Sequence, residues 1–228
     1  MIKSGVDQEA IVKMFAEASA KQGEALRKGV GEATLKALQT RELTMDNIKK
    51  VLKTVTASAT VGAAQNKSSP VDIEALLTKA FAGMDSALLQ AVEAHRKALQ
   101  QFVDQGEGLQ AKQLKTALSN LEKMEDTFFD TVTKAVQGVG SVPMQGPWDQ
   151  VLGAMRTKGT DSGARAANAV EQLLAQTRTA LREGRAATTR TAQTMIDGYA
   201  ALVSGVLIGM SQGLQGGSSP APSPAKKR

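Results

Sequence analysis

The chain has 228 residues, a length that allows one or two domains, and its 3% aromatic content argues against a thick core of large rings. It has no cysteine, which excludes disulfides and thiolate metal sites. The formal charge is +6, and half of that excess sits in Lys226, Lys227 and Arg228 at the C-terminal end, so the body is too mildly basic to indicate nucleic-acid binding.

The N-terminal stretch "MIKSGVDQEAIVKMFAEASAKQ" carries charges throughout and lacks the unbroken apolar run of a secretory signal, so a cytoplasmic protein is expected. Helical spacing dominates from there. Ile11, Phe15, Ala18, Gln22, Leu26, Gly29 and Ala33 step by three or four, with Gly29 and Gly31 expected to break or bend the helix. Thr44 is placed to cap a helix from about Met45, with Ile48, Val51 or Leu52, Val55, Ala59 and Ala63 on its apolar face. Within it, Thr54–Val61 also alternates with period two and is compatible with a short strand, but nothing else in the chain offers a strand to pair with it.

"NKSSPVDIEALL" is the clearest punctuation. Ser69 can cap, Pro70 suits a first helical position, and Asp72 and Glu74 suit the positive end of the helix dipole. The stripe that follows holds Ile73, Leu77, Phe81 or Ala80, Met84, Leu88, Ala91, His95, Leu99 and Phe102. After "GEG" at 106–108, Leu114, Leu118, Leu121, Phe128, Val132 and Ala135 form a second stripe. The short link predicts a helical hairpin of Pro70–Gln105 and Leu109–Gln137 as the centre of the molecule. "GVGSVPMQGPW" reads as a Gly/Pro linker, after which Trp148, Val151, Leu152 and Met155 are spaced to pin a short helix to the hairpin. Thr160, Asp161 or Ser162 then caps a last helix that nothing clearly stops before Gly216, about 80 Å at about 1.5 Å per residue. The end, "GGSSPAPSPAKKR", has the composition of a disordered basic tail.

These signals predict an all-α fold, an elongated helical bundle on a long antiparallel hairpin with coiled-coil-like seams. The expected parts are residues 1–137 (N-terminal helices and hairpin), 138–147 (linker), 148–215 (short helix plus long C-terminal helix) and 216–228 (tail).

Chemistry-bearing motifs are absent. His95 is the sole histidine and lies on an apolar stripe, where a packed or interfacial role fits better than catalysis or metal binding. The carboxylates lack the Glu-x-x-His pairs of a di-iron bundle, and no phosphate-binding glycine loop occurs. Glu125 falls at a seam position between Leu121 and Phe128, which reads either as a register-setting polar group or as an exposed seam. No catalytic residue, metal ligand or cofactor is expected. Arg178, Arg182 and Arg185 share a helix face and, with Lys226, Lys227 and Arg228, form a candidate anion-binding set, with a solvated charged face as the plainer reading.

"YAALVSGVLIGMSQGL", residues 199–214, is uncharged, but its strongly apolar part runs for only twelve residues, whereas a membrane span needs about twenty. On a helix, Gly198, Ala201, Gly205, Gly209 and Gly213 give small side chains at close-packing positions, with Leu202, Val206 and Met210 beside them and Val203 and Leu207 further round. The expectation is a packing or apolar-contact face that does not span a membrane.

The helix "VDIEALLTKAFAGMDSALLQAVEAHRKALQQFV", the Ala/Thr-rich last helix and "PAPSPAKKR" together resemble the phasin-like proteins of proteobacteria, in texture and over most of the chain. That resemblance implies a helical, cytoplasmic, non-catalytic protein that self-associates as a homo-oligomer and coats polyester (polyhydroxyalkanoate) granules or a lipid-like surface. The tail is far shorter than the Lys-rich repeats of DNA-contacting phasins, so nucleic acid is not an expected partner. Two alternatives stand beside this reading: a soluble helical scaffold whose small-residue ridge packs internally or between subunits, and a nucleoid or anionic-membrane binder using the arginine face and basic tail.

Overall fold

The computed structural model describes residues 5–104, 111–140 and 142–182, together with 203, 206–208 and 210. Among these the fold is all-α, with no strand. The helices are α1 (Gln8–Glu17), α2 (Gly23–Gln39), α3 (Met45–Gln65), α4 (Pro70–Asp104), α5 (Ala111–Glu122), α6 (Met124–Gly138), α7 (Val142–Lys158) and α8 (Asp161–Arg182), with a 3-10 turn at Ala20–Gln22.

Local capping sets several of these boundaries. Asp7 accepts from the Ala10 amide at 3.0 Å to start α1, and Thr44 accepts from the Asn47 amide at 3.3 Å to start α3. Ser69 accepts from the Asp72 amide at 3.3 Å, and Pro70 takes the first helical position of α4, as its sequence signals predict. Thr54–Val61 is helical, inside α3.

The break in the N-terminal region lies earlier than its glycines suggest. The chain leaves α1 at extended Ala18 and turns through a Ser19–Gln22 capping box, while α2 continues unbroken through Gly29 and Gly31. Gly31 is where α2 passes close to α4. A Cβ at Gly31 would sit 3.2 Å from the Gly83 carbonyl oxygen, and one at Gly83 would sit 3.1 Å from the Gly31 amide nitrogen. The buried stripe of α2 is accordingly Leu26, Val30, Thr34, Ala37 and Leu38 rather than one through Gly29 and Ala33.

The bundle is not organised as the expected hairpin. α4 packs most extensively along α2 and then α8, α6 packs along α3, and α5 packs along α8. Among the described residues, the two stripes expected to face each other along their length meet at an aromatic cluster: Phe81 stacks on Phe128 with ring centroids 4.4 Å apart and lies 5.5 Å from Phe129. The second arm is also two helices, broken at Lys123 between α5 and α6. The expected 138–147 linker is shorter than its composition suggests, since α7 begins at Val142 and carries Pro147 inside it. Trp148 is fully buried and donates its indole N–H to Thr60 Oγ1 at 3.0 Å, with Val151 and Leu152 buried beside it.

One core takes in residues from all eight helices, and Val203 and Leu207 from the apolar C-terminal stretch belong to it. The aromatic residues are few, but Phe15, Phe81, Phe128 and Trp148 are all fully buried within it. Among the described residues, no helix is long and apolar enough to cross a membrane.

Candidate functional site

α8 is the element around which polar groups and open apolar surface converge. It starts after Gly159, the one residue between α7 and Thr160, held at φ +78 where glycine is favoured. The Gly159 amide donates to the Met155 carbonyl at 2.8 Å and closes α7. Thr160 then caps α8, its Oγ1 accepting from the Gly163 amide at 2.9 Å.

Two other helices reinforce this cap. Asp85 of α4 accepts from the Asp161 amide at 2.9 Å and the Ser162 amide at 3.1 Å. Glu125 of α6 accepts from both the amide of Thr160, at 2.8 Å, and its hydroxyl, at 2.7 Å, through Oε1. Gly163 makes room for this: a Cβ there would lie 2.6 Å from the Glu125 carboxylate oxygens. Two anions at a helix N-terminus complement the dipole and satisfy amides that have no partner within the helix. Burial pushes the Asp85 carboxyl above its ordinary value, and the amide hydrogen bonds offset that only in part.

Further along the seam, Glu93 of α4 pairs with Arg165 of α8 and, at 3.0 Å, with Arg96 of its own helix. Burial raises the Glu93 carboxyl, but the Arg165 and Arg96 hydrogen bonds prevail and hold it below the ordinary value. Asp85 meets residues 161 and 162 and Glu93 meets Arg165, so the two helices advance in the same direction. Sequence reasoning did not single out Asp85 or Glu93 and left Glu125 open. The signal available for Glu125 was its seam position, and its partner is the α8 cap.

The apolar side of α8 is thin. Ala166, Ala169 and Leu173 are buried, while Leu174 is 40% exposed. Ala167, Val170, Leu174 and Ala175 line an open groove of about 590 Å³ together with Glu122, Glu125 and Glu171.

The expected small-residue ridge falls mostly outside the described residues: Gly198, Ala201, Leu202, Gly205, Gly209 and Gly213 all lie there. Val206 and Met210 are helical and half-buried against the core, Val203 and Leu207 are fully buried, and Ile208 is 36% exposed. Of the candidate anion-binding set, Arg178 and Arg182 lie on α8, while Arg185, Lys226, Lys227 and Arg228 are outside the described residues. Arg165, elsewhere on that helix, is committed to Glu93.

His95 is buried on α4, and desolvation lowers its pKa to about 4, so the ring is neutral at physiological pH. Among the described residues no group of three or more His, Asp or Glu side chains is arranged to hold a metal ion.

No curated protein and no solved structure matches this chain. A model described as a family of unknown function, DUF6781, matches residues 1–216, and the chain belongs to that family.

Proposed function

We propose that this is a non-catalytic, phasin-like helical protein of the cytoplasm that associates with an apolar intracellular surface of the polyester-granule kind and self-associates. The observation that supports it is the open side of α8. Val170 and Leu174 line a groove beside the α5–α6 junction, and Leu174 is one of only two large apolar side chains left exposed among the described residues. Glu122, Glu125 and Glu171 line the same groove, so apolar and charged side chains lie side by side, as on a helix that rests on a surface with its charges in water. The test is partition of the purified chain onto polyester particles beside a soluble helical protein of equal size. Enrichment on the particles supports the reading, and recovery wholly in the aqueous phase removes it.

A soluble scaffold is the second reading. Its support is the complete burial of Val203 and Leu207 in the chain's own core, which gives part of the apolar stretch an internal partner. On that reading, residues around 203–207 resist protease with no added surface. The anionic-surface reading, through Arg178, Arg182, Arg185 and the basic tail, requires binding that weakens steeply with salt.

A further inference from the structure

α8 carries two apolar stripes. One, Ala166, Ala169 and Leu173, is buried in the chain's own bundle. The other, Gly163, Ala167, Val170 and Leu174, lies along the open groove and steps by four, three and four. The same spacing runs on to Thr177 and Leu181 before α8 ends at Arg182. Alternate steps of three and four are the seam pattern of a coiled coil, and this seam is open: Leu174 is 40% exposed.

Charge divides along the same helix. In residues 161–171, Arg165 is taken by Glu93, which leaves Asp161 and Glu171, and Glu122 and Glu125 join Glu171 in lining the groove. In residues 172–182 the charged residues are Arg178 and Arg182 alone. Among the described residues no ion pair involves Glu122 or Glu171. Glu171 and Arg178 each follow a seam position by one residue, so they stand on the same flank of it, two turns apart. A helix that is acidic at one end of an apolar seam and basic at the other complements a second copy of itself only when the two run in opposite directions. Side by side in parallel, Glu171 would face Glu171 and Arg178 would face Arg178.

Resting on the self-association reading above, we propose that the groove is the seat of α8 from a second copy of this chain, held antiparallel about a twofold axis near residue 175. In this register Leu174 lies beside Thr177 of the second copy and Val170 beside Leu181, while Glu171 stands opposite Arg178. Symmetry makes each pairing twice. Arg182 of the second copy advances toward the groove's carboxylates. The arginine face of α8 thus takes its anions from another copy of the chain, and the charge pattern sets direction and register while the apolar seam supplies most of the attraction. A paired chain withholds Val170 and Leu174 from other surfaces, so pairing and surface contact use the groove in turn.

The chain has no cysteine, so single-cysteine variants of the full chain report the pairing directly. Leu174 and Ala167 are both exposed. Residue 174 lies near the twofold axis, whereas residue 167 is about 24 Å from its counterpart, at about 1.5 Å per residue. A short bismaleimide is expected to join Leu174→Cys to itself and to leave Ala167→Cys uncoupled. Coupling of Ala167→Cys as fast as Leu174→Cys overturns the antiparallel arrangement. In light scattering against concentration, Glu171→Arg is expected to weaken the dimer about fivefold to thirtyfold, because two attractive pairs become two repulsive ones. Adding Arg178→Glu is expected to restore most of that loss, and a double variant no tighter than Glu171→Arg overturns the register. An unmodified chain that stays monomeric at every concentration removes this interface and self-association together. A dimer in which Leu174→Cys does not couple removes the interface and leaves self-association standing.

Discussion

A methyl group at Gly62 would lie 2.6 Å from the Phe15 Cβ and closer still to the Val12 carbonyl oxygen. One at Gly83 would press on the Arg27 carbonyl oxygen, with Val30 Cβ 3.2 Å away. These obstacles are backbone and packed carbon, which cannot swing aside. Gly62→Ala and Gly83→Ala are therefore each expected to destabilise by about 1–3 kcal/mol, read as a fall in thermal midpoint of about 2–4 °C per kcal/mol. Gly153 supplies the contrast, being exposed within α7 with nothing near a Cβ. Gly153→Ala is expected to stabilise by about 1 kcal/mol through helix propensity alone. His95 gives a pH prediction. Its folded pKa, about 4, lies below the unfolded value near 6.5, so above about pH 6.5 both states are neutral and the group does not affect stability. As pH falls from about 6.5 toward 4 the unfolded chain takes the proton first, and stability declines by about 3 kcal/mol across the window. Asp85, raised by burial, works in the opposite direction, favouring the folded state as it protonates. Melts of His95→Leu from pH 7 to 4.5 are expected to show a shallower decline than the parent. An unchanged slope places the acid sensitivity elsewhere.

At the scale of elements, Trp148 is the largest of the buried side chains that seat α7, with Val151 and Leu152 beside it. Trp148 joins the N-terminal part of α7 to α3 through Thr60, whose own hydroxyl donates to the Thr56 carbonyl at 2.8 Å. Trp148→Ala is expected to cost about 3–5 kcal/mol in a denaturant melt, and Trp148→Phe less, since the ring volume is mostly kept and the indole donor alone is lost. The elements legible in the sequence are those written locally. Thr44 and Ser69 each bond three residues ahead, and the stripe from Ile48 to Ala63 follows from helical period alone. What was not legible depends on distant partners. Gly31 resembles a helix breaker until Gly83, on another helix, is placed against it. The 138–147 stretch resembles a linker because its proline and glycines are visible, while the Thr60 that anchors Trp148 is 88 residues away. No glycine or proline marks the α5–α6 break at Lys123. Glu125 could be recognised as a polar group on a seam, but its partner, Thr160, is 35 residues further on, and Asp85 reaches 76 residues to Asp161. Charged side chains that cap another helix leave no periodic trace.

At the scale of the whole molecule, eight helices among the described residues share one core with Val203 and Leu207, and α8 carries an open groove lined by Val170 and Leu174. The surface-binding role proposed above requires a chain that is stable in water and still offers apolar side chains to a surface. Self-association belongs to this reading too, and it is expected to appear as a concentration-dependent rise in mass by light scattering. The most direct measurement is equilibrium partition of the purified full chain onto polyhydroxyalkanoate particles, titrated by particle area at low and high salt. Saturable binding that is insensitive to salt is the predicted result. Protein that stays in the aqueous phase at every particle area, while a known granule protein binds, would contradict it.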